Sequence, residues 1–402
     1  MPGQVRDAAW SLISAVANAL GQWLALAVVA RLCGASGLGE LAWAMAAVLP
    51  IHLVAGLQQR SAILAGSPGS PRDHLRLRLA TGLATLLAAA LAGALHGPGA
   101  AAVCVLVAAA RFSEGLGEVA LGFRARAGRF DHVAVAQLVR ATLVAGGTAL
   151  GAWRGGDALS AAAGMAAGSA LTLLVELPLL RGAAGVAHAP GMLLVRLAPL
   201  GLALGLAALA GSLPRLVLEA VAGSAVLGTY AAAASLAAAA AAVGQAWGPG
   251  SSLRLSAMHR VGDAAGMRRL CWRVALGTAT CAVIGAAIAV AFGDRIMGMA
   301  FGAGFAGGGL VLAGLLAVTA IDLAAAPASY ALTAAGVWRA QVPMLAAATA
   351  AAGLFALVAI PPLGIAGAVL AVAMAHLVRL LWAGCLLHAL LDRTRTSTSI
   401  SS

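Results

Sequence analysis

Apolar runs follow one another from Trp10 to Leu390 with only short breaks, and no soluble fold can bury so many of them. A bilayer core about 30 Å thick needs about 20 apolar residues per helix. Runs of that length lie near 8–30, 41–65, 75–95, 100–121, 132–152, 158–180, 197–219, 225–248, 270–292, 310–333, 340–360 and 364–389. With 62% hydrophobic and 9% charged residues, the chain reads as an all-α polytopic membrane protein of about twelve spans.

The charges set orientation. All 25 basic residues are arginine, and the net charge is +12. Arg72, Arg76 and Arg78 follow span two, Arg124, Arg126 and Arg129 follow span four, and Arg181 and Arg196 follow span six. Arg254, Arg260, Arg268 and Arg269 follow span eight, and Arg393 and Arg395 lie in the tail, whereas the alternate loops hold little beyond Arg31, Arg154 and Arg295. This alternation places both termini in the cytoplasm and explains the positive charge without nucleic acid. Residues 1–180 and 197–390 then form two six-helix lobes joined by a cytoplasmic linker, 181–196, as in two-lobed secondary transporters. The Ser/Thr-rich tail, 391–402, is expected to be disordered. Residues 251–269 read as a short surface helix in which Asp263 caps the stretch ending in Arg268 and Arg269.

Several chemistries are excluded. A chain without lysine has no Walker A loop and no Schiff base. No loop is long enough for a catalytic domain, so an enzyme is not expected. Cys33, Cys104, Cys271, Cys281 and Cys385 make no CxxC and read as small buried hydrophobes. The scattered histidines form no HExxH, so no metal site is expected. The run from Met1 to Ala30 is too long for the apolar region of a cleavable signal and reads as the first span.

Ionisable residues within spans are costly and mark candidate sites. Arg111, Glu114 and Glu118 lie in span four, Arg140 in span five, Asp322 in span ten and Arg379 in span twelve; Arg60, Glu176, Arg215 and Glu219 lie nearer the ends. Arg111 with Glu114, and Arg215 with Glu219, have the spacing to neutralise each other on one helix. Arg140 and Arg379 have no acid within a turn, so they face a wet cavity or a partner helix. Arginine forks suit a diphosphate headgroup, and Glu114, Glu118 and Asp322 suit uptake of protons or sodium. Ser11, Ser14, Asn18 and Gln22 form a polar stripe on span one, open to two readings, a cavity wall or a helix–helix contact. Pro50, Pro178, Pro199, Pro214 and Pro327 mark kinks, and Gly164/Gly168 and Gly201/Gly205 are small-residue pairs that permit close helix approach.

Five segments carry a family likeness. VVARLCGASGLGELAWAMAAVLPIHLVAGLQQR, 28–60, resembles the first helical hairpin of polysaccharide-type flippases, with Arg31, Gly34, Gly39, Gly56 and Leu57 at the family's positions. LGFRARAGRFDHVAVAQLVRATL (121–143) resembles the connection between spans four and five, and LEAVAGSAVLGTYAAAASL (218–236) the start of span eight. FGDRIMGMAFGAGFAGGGLVLAGLL (292–316) is similar to the turn before span ten, and PLGIAGAVLAVAMAHLVR (362–379) to the opening of span twelve. The likeness covers the chain in order and is to the O-antigen-type flippases of the multidrug/oligosaccharidyl-lipid/polysaccharide (MOP) exporter superfamily. The chain departs from some members in stopping after twelve spans and in using arginine alone.

The resemblance implies a V-shaped, two-lobed transporter of the bacterial inner membrane, working by alternating access. Its cargo would be undecaprenyl-diphosphate-linked oligosaccharide, moved from the inner to the outer leaflet, with proton or sodium coupling, no other cofactor, and polysaccharide polymerase or assembly proteins as partners. Arg31, Arg60, Arg111, Arg140 and Arg379 are then the candidate phosphate contacts. A multidrug exporter of organic cations on the same fold is the first alternative; a membrane glycosyltransferase or polymerase is a weaker one, because the external loops are short.

Overall fold

The structure is a computed structural model that describes residues 2–183, 185–186, 190–245, 248–337 and 340–400. Its regular elements are helical. They are α1 (Pro2–Gly56), α2 (Gln59–Leu64), α3 (Pro71–His96), α4 (Pro98–Arg126), α5 (Phe130–Gly155) and α6 (Ala158–Glu176), then α7 (Pro190–Ala222) and α8 (Ser224–Gln245). After these come α9 (Gly248–Arg260), α10 (Ala264–Phe301), α11 (Gly309–Ala334), α12 (Gln341–Leu363) and α13 (Ile365–Ile400).

Among the described residues, eleven stretches are long and apolar enough to cross a membrane. The first, Val16–Leu64, has 49 residues. At 1.5 Å per residue that is roughly 74 Å of helix, more than twice a bilayer core of about 30 Å. It crosses twice, turning at Gly34 (φ 70°, ψ −172°) inside α1, and the crossings number twelve. The sequence suggests a loop of about ten residues here; one glycine suffices, because only a residue without Cβ adopts this backbone readily.

The turns at one end of the bundle share one device, a glycine at positive φ: Gly34, Gly97, Gly156, Gly223, Gly302 and Gly364, of which Gly302 is followed by a 3-10 turn, Ala303–Gly308, before α11 begins. This glycine-turn end contrasts with the arginine-rich end, where most connections are longer. There Ser70 opens α3 with a capping box, accepting from the Asp73 amide at 3.3 Å while its own amide donates to Asp73 Oδ2 at 3.0 Å.

Three boundaries differ from expectation. Asp263 caps the stretch that holds Arg268 and Arg269, as the sequence suggests, accepting from the Gly266 amide at 2.7 Å, but that stretch opens the long crossing helix α10, and the separate helix α9 ends at Arg260. The linker narrows because α7 already begins at Pro190; residues 184 and 187–189 lie outside the described residues. Helix α13 continues to Ile400, into the segment for which the sequence suggests disorder, with no glycine or proline after Gly384 to stop it; Ser401 and Ser402 lie outside the described residues.

The largest apolar cluster joins the two halves of the chain at the glycine-turn end. Val29, Leu38, Leu41 and Val48 of α1 meet Leu218 of α7, Leu227 and Tyr230 of α8, and Met297 and Phe301 of α10. Toward the arginine-rich end the described clusters mostly stay within one half, such as Leu121, Ala125, Val133 and Ala136 in the first and Leu332, Met344 and Ala383 in the second. One seam joins the halves there: Leu57, Ala62 and Leu77 against Leu193 and Leu197. Gly201 permits it, since a Cβ there would lie 2.4 Å from the Val54 carbonyl oxygen. Gly164 and Gly168 do the same between α5 and α6.

Leu87, Leu91 and Leu95 of α3 and Leu276, Val283 and Val290 of α10 are exposed, as expected of faces turned to lipid. Of the five cysteines only Cys104 and Cys271 are buried as expected; Cys33 is half-buried, and Cys281 and Cys385 are exposed, where lipid tolerates a thiol as readily as a core does.

Candidate functional site

Helix α4 carries Arg111, Glu114 and Glu118 at i, i+3 and i+7, which places them on one face. Arg111 Nη1 donates to Glu114 Oε2 at 2.7 Å, the same-helix pairing that the spacing suggests. Glu118 bridges two helices. Its Oε2 accepts from Arg60 Nη1 of α2 at 3.1 Å, and its Oε1 accepts from Arg140 Nη1 of α5 at 2.5 Å. Arg140 reaches further, donating from Nε to Glu176 Oε1 at 2.8 Å, and Thr172 donates to the other Glu176 oxygen at 3.4 Å. Arg140 therefore faces partner helices. Gly117 makes room, because a Cβ there would lie 1.6 Å from Glu176 Oε2.

Exposure grades this network from inside out. The side chains of Glu176 and Arg140 are 1% and 8% exposed, while those of Glu118 and Arg60 are 29% and 34% exposed. The inner pair is locked in the bundle, and the outer pair forms its accessible edge. Partly exposed charges within spans need a wet surface. Arg60 and Glu118 lie on the side of the network nearer the arginine-rich end, Arg60 in α2, which follows the end of α1 there.

Arg78 is a residue that sequence reading misses. Grouped there with Arg72 and Arg76 as a loop arginine, it lies two turns inside α3 and is 4% exposed. Its Nη2 contacts the His52 ring at 3.3 Å, and among the described residues it has no ion pair. Its guanidinium fills a notch left by two glycines: a Cβ on Gly115 would lie 1.8 Å from Nη2, and one on Gly56 would lie 2.9 Å from Nη1. The capping box Ser70-Pro71-Arg72-Asp73 is the signal that could have found it, since it starts the helix before Arg78.

The second half has its own cluster. Arg379 Nη1 of α13 donates to Asp322 Oδ1 of α11 at 2.6 Å, and His376 Nδ1 lies 3.0 Å from the same oxygen. Gln245 of α8 reaches Asp322 Oδ2 at 3.5 Å. His376 and Gln245 were not singled out from sequence; His376 precedes Arg379 by three residues and so shares its helix face.

Arg31 stands apart from the other four candidate arginines. It lies at the glycine-turn end, donating from Nε to the Ala300 carbonyl at 3.2 Å and from Nη2 to the Met299 carbonyl. These are last-turn carbonyls of α10, so Arg31 caps a helix of the opposite half. Nearby, the Ser36 and Ser224 hydroxyls are 3.1 Å apart. Glu219 pairs with His96 at 3.4 Å, not with Arg215, and the His96 ring stacks on Trp43 at 3.9 Å. The sequence spacing of Arg215 and Glu219 is suitable, but the tertiary partner on α3 takes the carboxylate.

Of the polar stripe, Ser14 is buried and donates to its own helix at the Trp10 carbonyl (3.0 Å), whereas Asn18 and Gln22 are exposed; the Ser11 side chain lies outside the described residues. Among the described residues no group of three His, Cys, Asp or Glu side chains is placed to hold a metal. Outside the spans, hydrogen bonds from Ser160 hold the Asp157 carboxyl below its usual range.

No protein-family model and no curated protein matches this sequence. Solved structures match along nearly its whole length. An inward-facing multidrug resistance MATE family transporter of the MOP superfamily superposes with a TM-score of 0.70 at 14% identity, over 93% of this chain and 95% of that one. The lipid II flippase MurJ, in an inward closed conformation, gives 0.73 at 12% identity, over 94% and 86%. A MOP superfamily transporter from Pyrococcus furiosus gives 0.67 at 16%, over 96% of each chain. At such identities the likeness establishes the fold: this is a multi-pass, all-helical protein with the MOP transporter architecture, and its neighbours are transporters and flippases.

Proposed function

We propose that the protein is a lipid-linked oligosaccharide flippase, carrying undecaprenyl-diphosphate-linked repeat units from the inner to the outer leaflet by alternating access. The observation that carries this reading is a partly exposed arginine in each half, Arg60 and Arg379, each held by a single carboxylate, Glu118 and Asp322, with Arg60 at the arginine-rich end. By the positive-inside rule that end faces the cytoplasm, where such lipids are assembled, with both termini on the same side of the inner membrane. Arginine forks recognise phosphate oxygens bidentately, and the polyprenyl tail would stay in lipid. MurJ, a flippase of lipid II, supports the reading by sharing the fold.

The geometry also ranks the candidates. Arg60 and Arg379 would make first contact with phosphate, with Arg111 behind them. Arg140 holds the scaffold and Arg31 holds the seal. Asp322, flanked by Arg379 and His376, is the carboxylate best placed to exchange a coupling proton or sodium ion, with Glu114 and Glu118 as further candidates. Polysaccharide polymerase or assembly proteins would be downstream partners.

One observation favours a second reading, a multidrug exporter of organic cations. Arg60, Arg111, Arg140 and Arg379 all pair with carboxylates, which leaves the interior less cationic than the arginine count suggests. Depleting the protein and assigning its undecaprenyl-diphosphate oligosaccharides to a leaflet separates the two. Completed units trapped on the cytoplasmic face, with R60A and R379A failing to rescue polymer, support the flippase. Normal polymer with altered organic-cation efflux supports the exporter.

A further inference from the structure

Glu118 is held as an anionic ligand would be. Each of its oxygens takes one arginine from a different helix, Arg60 at 3.1 Å and Arg140 at 2.5 Å. Arg140 keeps a second carboxylate, Glu176, so losing Glu118 would leave it paired. Arg60 has no other ion pair among the described residues, so losing Glu118 would free it.

The element that carries Arg60 is strained. Leu57 (φ 54°) and Gln58 (φ 49°) are consecutive non-glycine residues in the left-handed region, just ahead of α2. Strained residues of this kind cluster at ligand clamps and switch segments. The Gln59 amide is buried with neither its nitrogen nor its oxygen hydrogen-bonded. A short, strained segment with an unsatisfied amide is poised to move.

A destination for the released carboxylate is also present. Arg78 lies against α4 at Gly115, and Glu118 is on the same face one turn on. Arg78 has no ion pair among the described residues, and the carboxylates whose charge reaches it are Glu118 and Glu114.

We propose that Glu118 is a displaceable internal anion: in the unloaded cavity it occupies Arg60, an incoming phosphate takes its place there, and the freed carboxylate turns to Arg78. This deepens the phosphate-cargo reading and rests on it. The exchange keeps Arg60 paired when no anion is bound and makes the site selective for an anion strong enough to displace a carboxylate. No bond is made or broken; one ion pair replaces another.

The test is calorimetric binding of inorganic pyrophosphate to the full-length protein in nanodiscs. E118Q removes the competitor and is expected to tighten binding about tenfold, the equivalent of about 1.4 kcal/mol. R60A is expected to abolish binding. R78Q is expected to weaken binding severalfold in the wild-type background but to have no effect in E118Q, where no carboxylate needs a receiver. Thermal unfolding of each variant controls for misfolding, and E118D should restore wild-type affinity. Arg60-dependent binding that E118Q leaves unchanged or weakens would overturn the exchange while leaving the phosphate-cargo reading intact; so would an R78Q effect of equal size in both backgrounds. No pyrophosphate binding by any variant would overturn both.

Discussion

Arg31 of the first half donates to the Ala300 carbonyl of the second at 3.2 Å, so a guanidinium from one lobe caps the last turn of a helix in the other. A charged hydrogen bond is worth about 1.5–3 kcal/mol. R31A should therefore shift the population away from the sealed state by roughly tenfold or more. In a cysteine-free background, S36C/S224C should cross-link readily, because the parent hydroxyls are 3.1 Å apart. Cross-linking that is as fast with R31A as without it would remove Arg31 from the seal.

Gly39 and Gly228 make the same seal by having no side chain. A Cβ on Gly39 would lie 1.7 Å from the Ser224 carbonyl oxygen, and one on Gly228 would lie 1.9 Å from that of Ala35. Backbone oxygens cannot rotate aside, so G39A should prop the glycine-turn end open. Spin labels placed across that end should report a longer mean distance in G39A. An unchanged distance distribution would mean that the helices close without this contact.

The graded network makes opposite predictions for its two arginines. R140M strands Glu176, a carboxylate only 1% exposed, and should cost about 3–5 kcal/mol. R60A breaks a pair about one-third exposed on each side and should cost at most about 1 kcal/mol. Thermal unfolding in detergent distinguishes them, and equal destabilisation would contradict the division into inner and outer pairs.

Asp322 and Arg379 allow a charge-swap test. D322N should leave Arg379 and His376 without their shared carboxylate and abolish transport. The double reversal D322R/R379D should recover thermal stability while transport stays lost, if Asp322 also exchanges the coupling ion. Recovery of transport with the swap would make the pair purely structural.

Asp157 opens α6, accepting from the Ser160 amide at 2.8 Å and the Ser160 hydroxyl at 2.7 Å. D157A should cost about 1 kcal/mol, as for other helix caps. Because folding lowers this carboxyl's pKa, its contribution is present above the ordinary value and is lost as pH falls through the lowered one. The stability gap between D157A and wild type should thus be full at neutral pH and close in strong acid.

The crossings and the depth of most buried charges were legible in the sequence, because lipid imposes a linear demand on each span. The same-helix pair Arg111–Glu114 was legible too, since helical spacing alone sets it. Glu219 was not: its spacing fits Arg215 equally well, and only packing brings His96 closer. Arg78 was misread because charge in a membrane chain suggests a loop, whereas paired glycines on two other segments make a buried notch for it.

Hydropathy and arginine placement act locally along the chain, and so they suffice to define a twelve-crossing bundle and an expected orientation. Packing settled which carboxylates Arg60, Arg140 and Arg379 hold on other helices, and which end is sealed. Those outcomes depend on helix rotation and approach. Glycines permit both, letting backbones meet where Gly39 faces Ser224 and side chains interlock where Gly117 faces Glu176, partners far apart along the chain.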